Sequence, residues 1–230
     1  MAKGRGRQGD RTAVSGRSRR GRPGHDRESL LRIAVGLFNE RGFDGTSMDD
    51  LARELGVTKA AIYHHVSGKQ ELLRLAVDRA LDGLFALVDE LDTVPGRAVD
   101  RLEHLVRGSV TVLVDRLPYV TLLLRVRGNT PVERDALERR REFDRIVAGL
   151  VAEAVADGDL RGDVDPATTA RLLFGMVNSL IEWYRPHGHI GGPDLADAVA
   201  TVAFDGLRTH AGVSAEGSWS SDPEDPRRSP

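Results

Sequence analysis

Apolar residues recur along most of this chain at helical spacing. In "RESLLRIAVGLFNERG", Leu30, Ile33, Ala34, Leu37 and Phe38 fall at i, i+3, i+4, i+7 and i+8, one face of a helix. Asp26 is placed to cap its start and Gly42 to stop it. "TSMDDLARELGV" follows, with Leu51, Ala52 and Leu55 apolar and Thr46 or Ser47 as the cap. Asp49 and Asp50 sit in its first turn, where the helix dipole favours negative charge. "TKAAIYHHV" gives about two turns behind Thr58. A long helix then carries Leu72, Ala76, Ala80, Leu84, Leu87 and Leu91 on one stripe, until Pro95 and Gly96 break it.

The second half continues the pattern. Helices are predicted over residues 96–117, over a short apolar segment opened by Pro118, and from Pro131 to near Gly158. Another is capped by Asp165, with Pro166 at its first position and Pro186 at its end. The last covers 192–210. No stretch reads as a convincing strand, and no 20–50-residue repeat is present. The predicted fold class is all-α, with nine helices.

Composition narrows the function classes. The chain has 230 residues, 40% hydrophobic and 30% charged, enough for one or two domains. It has no cysteine, which excludes disulfides, thiolate metal sites and a cysteine nucleophile. No apolar run approaches the roughly 18 residues of a membrane span. The longest candidate, "IVAGLVAEAVA", contains Glu153. The basic N-terminus has no apolar stretch behind it, so it does not read as a secretory signal. A cytoplasmic protein with no membrane partner is expected.

Charge is distributed unevenly. Residues 1–24 carry eight Lys and Arg against Asp10 alone, a net of +7, while the remainder carries 25 basic and 34 acidic residues, a net of −9. A basic arm on an acidic body suits a polyanion at one end. It also suits a solvated leader with no partner. Residues 1–24 and 212–230 hold too little apolar surface to offset chain entropy and are expected to be disordered.

Residues 27–66 form three short helices, enough for a small unit in which the second and third meet across a tight turn containing Gly56. In a helix-turn-helix the second helix of that pair enters the DNA major groove. Here Ala61, Ile62 and Val66 can pack inward, leaving Thr58, Lys59, Ala60, Tyr63 and His64 outward. Lys59 can reach phosphate or a guanine edge, Tyr63 a phosphate, and His64 either. Ala60 lets the helix approach closely. Lys69 adds a phosphate contact at the start of the next helix. The pair His64–His65 also suggests a metal site, but helix neighbours point about 100° apart and no further ligand sits at i+4. His65 is instead expected to pack or cap near the turn, and neither metal nor cofactor is expected.

The stretch "TSMDDLARELGVTKAAIYHHVSGKQELL" resembles the DNA-binding signature of the TetR family of transcriptional regulators. The resemblance rests on Thr46, Met48, Leu51, Ala52, Gly56, Val57, Thr58, Ile62, Tyr63, His64, His65, Val66, Lys69 and Leu72, and upstream on Phe38, Gly42 and Phe43. Val66 departs from the phenylalanine usual there. The resemblance implies a DNA-binding domain over 25–85, with the helix-turn-helix at 47–66, and a ligand-binding and dimerisation domain over 86–211. It implies a homodimer that binds a palindromic operator in double-stranded DNA and answers to a small-molecule effector. The DNA-facing residues would be Thr46, Ser47, Thr58, Lys59, Ala60, Tyr63, His64 and Lys69.

The body is compatible with those expectations. Leu172, Leu173, Met176, Leu180 and Trp183, with Gly175 and Ser179 as notches, and Leu195, Ala198, Val199, Val202, Ala203 and Leu207 suit a four-helix interface between two copies. Polar groups in apolar settings, with one ring, are the ligand candidates: His104, Tyr119, Arg125, Arg127, Asn129, Phe143 and Asn178, with Arg141 beside them. Arg125 and Arg127 can hold an anionic ligand or simply favour the end of a helix. The last two helices are similar to those of a branch of the family that often senses acyl-CoA thioesters. Two other classes compete. No nucleophile elbow, P-loop, zincin motif or dinucleotide fingerprint points to an enzyme, and "HGH" at 187–189 lies in a loop without partners. A non-specific nucleic-acid binder driven by the Arg-rich arm is the other alternative.

Overall fold

Helix follows helix through residues 27–208, the part of the protein that the computed structural model describes. The expected Asp26 cap, the basic arm and the tail at 212–230 lie outside them. Nine α-helices occur among the described residues: α1 Arg27–Arg41, α2 Met48–Leu55, α3 Lys59–Tyr63, α4 Lys69–Glu90, α5 Ala98–Asp115, α6 Leu117–Arg125, α7 Pro131–Ala156, α8 Pro166–Trp183 and α9 Gly192–Leu207. A 3₁₀ turn, Leu91–Thr93, ends α4 before Pro95 is reached. Leu117, expected at the end of α5, opens α6 instead. Among the described residues one antiparallel bridge, Leu160 to Arg208, ties the α7–α8 loop to the end of α9.

Caps explain most of the boundaries. Ser47, not Thr46, caps α2: its Oγ accepts from Asp50 N–H at 3.1 Å while Asp50 accepts from Ser47 N–H at 2.9 Å. The Ser47 hydroxyl and Ser47 N–H both donate to the Asp50 carboxylate and hold that carboxyl at about 2, well below its ordinary value. Because the folded value is depressed, this contribution is complete above about pH 4 and is lost as pH falls toward 2. Gly56 closes α2 in the left-handed region, φ +65°, and donates its N–H back to Ala52 and Arg53 carbonyls. Thr58 caps α3, and Asp165 caps α8 through Thr168 N–H at 2.9 Å.

Helix α4 is the common wall. Leu72, Leu73, Ala76, Val77, Ala80 and Leu81 are fully buried along it, and it packs against α1 as well as α5, α6 and α7. The expected stripe is therefore widened by Leu73, Val77 and Leu81, while Leu84 and Leu87 are only half-buried. Phe143 of α7 is buried between Phe85 of α4 and Phe174 of α8, edge-to-face with both at 6.2 and 5.1 Å. Helices α5 and α9 pack together, as do α7 and α8. This turns Leu173, Leu180, Leu195, Val199 and Ala203 into the subunit's own core, although they were expected at an interface. What α8 and α9 leave outside is a second face. Leu172, Gly175, Ser179 and Trp183 recur at helical spacing on α8, and Ala198, Val202 and Gly206 on α9, all exposed.

Replacing a ring packed this way leaves a cavity that its neighbours fill only in part. Phe143→Ala should lower unfolding free energy by about 3–5 kcal/mol in urea melts. A loss near zero would mean that the ring is not part of the core.

Candidate DNA interface and the seam above it

Helix α3 is five residues long, too short to hold itself in water. Two buried side chains keep it in place: Ile62 is 2% exposed and Val66 3%. Everything on its far side faces solvent. Thr58, Lys59, Ala60, Tyr63, His64 and His65 are all exposed, Tyr63 by 48%. His65 neither packs nor caps with its ring, contrary to expectation, because α3 ends at Tyr63 and the chain turns through both histidines.

The remaining predicted contacts are placed differently. Thr46 is 1% exposed, and its hydroxyl donates to the Gly42 carbonyl at 2.8 Å. It fixes the α1–α2 turn and offers no side-chain atom to an outside partner. Ser47 is exposed, but its hydroxyl is engaged with Asp50. Lys69 is half-buried. Its ammonium donates to the Phe43 carbonyl at 2.8 Å and lies 4.3 Å over the Phe43 ring. Lys59 is bonded to Asp49 of α2 at 3.1 Å, both side chains well exposed. A pair of that kind contributes only about 0–1 kcal/mol, so a phosphate can take the ammonium over at little cost.

The predicted effector residues divide among several places. Arg125, Arg127 and Asn129 line a cavity of about 710 Å³ between the end of α1 with its turn, residues 38–45, and the end of α6 with the loop into α7. Phe38, Phe43, Leu122 and Leu124 supply apolar wall, and Arg41 a third guanidinium. Tyr119 lies elsewhere, accepting from Arg79 Nη1 at 3.0 Å. His104 stands 3.9 Å from Glu90, its Nε2 buried without a hydrogen bond. Phe143 is core, and Asn178 and Arg141 lie on α8 and α7 away from this lining.

Several cavity residues were not anticipated. Asn39, Arg41, Phe43 and Asp44 come from the DNA-binding half of the chain. Glu133 comes from the body: 5% exposed, it accepts from Gly128 and Asn129 N–H at 2.9 and 2.6 Å and ties down the α6–α7 loop. The spacing Thr130-x-x-Glu133 before an apolar helix was a readable signal, since Thr130 caps α7 through Glu133 N–H at 3.2 Å.

The seam is held by specific bonds. Arg125 donates to the Asn39 carbonyl at 2.8 Å, and Asn39 Nδ2 donates to the Pro118 carbonyl at 2.8 Å, so the end of α1 is tied to α6. Arg79 of α4 reaches both Glu28 of α1 and Tyr119 of α6. Its hydrogen bonds with Glu28 push its pKa up, so it stays charged throughout.

A short exposed helix held by two apolar anchors, behind a glycine turn and below a helical body, defines a helix-turn-helix DNA-binding protein. Comparison with known proteins supplies the rest. The family profile "Bacterial regulatory proteins, tetR family" matches residues 30–76, and "Tetracyclin repressor-like, C-terminal domain" matches 95–207. The structure of SCO3833, a member of the TetR transcriptional regulator family from Streptomyces coelicolor A3, shares 56% identity, covering 78% of this chain and 91% of that one, with a TM-score of 0.73. The transcriptional repressor KstR2 of Rhodococcus jostii RHA1 is 29% identical over 79% of this chain and 90% of its own length. AibR, solved in complex with isovaleryl coenzyme A and operator DNA, is 25% identical over 77% of this chain and 97% of that one, with a TM-score of 0.65. The chain belongs to the TetR family of transcriptional regulators. It is a DNA-binding regulator, and no helix among the described residues is long and apolar enough to cross a membrane.

The two faces of α3 should separate binding from stability. Tyr63→Ala should weaken operator binding by about 1–3 kcal/mol with an unchanged melting temperature. Ile62→Ala should instead lower the melting temperature, through about 2–5 kcal/mol of lost packing. Binding that survives Tyr63→Ala unchanged would remove this face from the interface.

Proposed function

We propose that this protein is an effector-responsive repressor that binds a palindromic operator as a homodimer, in the cytoplasm and without catalysis. The observation that carries the reading is the outward face of α3. Thr58, Lys59, Ala60, Tyr63 and His64 present donors and a close-approach position on one exposed surface, with Thr58 also capping the helix and Lys59 paired with Asp49. Ser47 and Lys69 supplement it at the entries to α2 and α4. Pairing two copies through the exposed face of α8 and α9 supports the dimer. Leu172, Trp183 and Val202 are 66%, 53% and 68% exposed, beside small residues that let two helices approach. A dimer also meets the requirement of a two-fold operator, whose half-sites lie about 34 Å apart.

The effector seat we propose is the cavity at the α1–α6 seam. Its volume lies within the ordinary range of roughly 300–1,000 Å³ for ligand pockets, and it combines apolar wall with Arg41, Arg125 and Arg127. That chemistry suits an anion with an apolar tail. Acyl-CoA thioesters have this character, and the complex of AibR with isovaleryl coenzyme A supports testing them first. Occupancy would favour a state in which α1 and its turn stand further from α6. Phe43 belongs to that turn and holds Lys69 at the start of α4, so the α2–α3 unit would move with it.

Gel shifts on the protein's own upstream DNA test the reading, with a panel of acyl-CoA thioesters as competitors. One or more should release the wild-type complex. Arg127→Gln should keep operator affinity within about threefold but need at least tenfold more thioester for release, a loss of about 1.4 kcal/mol. Absence of any shifted complex would contradict the repressor. Equal release of both proteins would move the effector away from this seam.

A further inference from the structure

Both bonds that tie the end of α1 to α6 run through one residue. Asn39 Nδ2 donates to the Pro118 carbonyl at 2.8 Å, and the Asn39 carbonyl accepts from Arg125 at 2.8 Å. The other atom of that amide is unsatisfied. Asn39 Oδ1 is buried with no hydrogen-bond partner among the described residues. The Pro118 carbonyl fixes which atom this is, since a flipped amide would set two acceptors against each other. Buried side-chain acceptors are nearly always paired, so an orphan calls for a donor from elsewhere. Asn39 also lines the seam cavity, which Arg127 lines from the α6 side.

We infer that Asn39 is the residue through which the effector opens the seam, and that the effector carries an N–H donor between its anion and its apolar tail. This rests on the seam cavity being the effector seat. While the bond from Asn39 to Pro118 holds, Oδ1 is sealed and no occupant of the cavity touches it. Once that bond is released, the amide is free to turn, and Oδ1 accepts from the occupant. The contact therefore exists only in the open state. A contact confined to one of two states shifts the equilibrium by its full strength. A contact made in both states, as at the exposed Arg127, adds affinity alone. The closed seam also bears the cost of a buried acceptor without a donor, which opening removes. Anion, N–H and apolar tail in that order describe N-acyl conjugates of small acids. They equally describe acyl-CoA thioesters, whose arm carries amides between phosphate and acyl chain.

A matched pair of probes isolates the donor: N-octanoyltaurine, and its N-methyl form, which has the same anion and tail but no N–H. Calorimetry on the full-length protein should give a dissociation constant about tenfold lower for the N–H probe. At equal occupancy that probe should also release more operator DNA. Asn39→Leu should bind the two probes alike, within about twofold, because the pair forms a double-mutant cycle with the donor. Asn39→Ala, measured in parallel, gives the same comparison should leucine disturb α1. Arg127→Gln should weaken both probes and keep their ratio. Octanoyl-CoA separates the two sources. It should lose as much affinity in Asn39→Leu as the N–H probe if the thioester arm supplies the donor, and keep its affinity if N-acyl conjugates do. A ratio near one in wild type, or one that persists in both Asn39 variants, would overturn the role of Asn39. Weakening by Arg127→Gln would still leave the seam as the effector seat. Indifference of every probe to Arg127→Gln and to the Asn39 variants, or no binding by wild type, would overturn both.

Discussion

Burial of α4 from both halves of the molecule is the constraint on which the rest depends. Helix α1 packs on it from the DNA-binding half, and α5, α6 and α7 from the body. Leu72, Leu73, Ala76, Val77, Ala80 and Leu81 are thereby sealed from water, a wider stripe than the roughly 100° that a surface helix needs. A helix packed so densely does not bend locally, since interiors are as close-packed as organic crystals. Any relative movement of the two halves is easiest where packing gives way to polar bonds and open space. The α1–α6 seam is such a place, with Arg125, Asn39 and Pro118 bonded across it and a cavity beside them.

The presented face of α3 follows from the same packing. Its backbone cannot persist alone, so Ile62 and Val66 set its direction and the polar side is turned outward by default. The two lysines beside it are held differently. Lys59 rests on an exposed Asp49, and Lys69 on a carbonyl and a ring. On the proposed reading, phosphate replaces the water-exposed Lys59–Asp49 pair at little cost.

Much of this was legible in the sequence because helical periodicity and end signals are local. Asp165 with Pro166, Gly56, Thr58 and the stripe on α4 all stand where their residue types predicted. Tertiary packing hid the remainder. An apolar helix can face its own core or another copy, and periodicity cannot say which, so Leu173, Val199 and Ala203 were expected outside and lie within. Thr46 looked like a surface cap until the turn folded its hydroxyl onto Gly42. Among the body's polar residues, the sequence pairs Arg125 with Arg127 and no others. Only the fold brought Arg125, Arg127 and Asn129 together with Asn39 and Arg41, more than eighty residues earlier in the chain.

The central claim is that α3 reads base sequence in two copies held at a fixed spacing. In vitro selection of the full-length protein from a random duplex library, at physiological salt, tests it most directly. The account predicts enrichment of one inverted repeat with half-site centres about one helical turn, or a multiple of it, apart. Recovery of DNA with no enriched sequence, retained in proportion to charge and lost as salt rises, would contradict it.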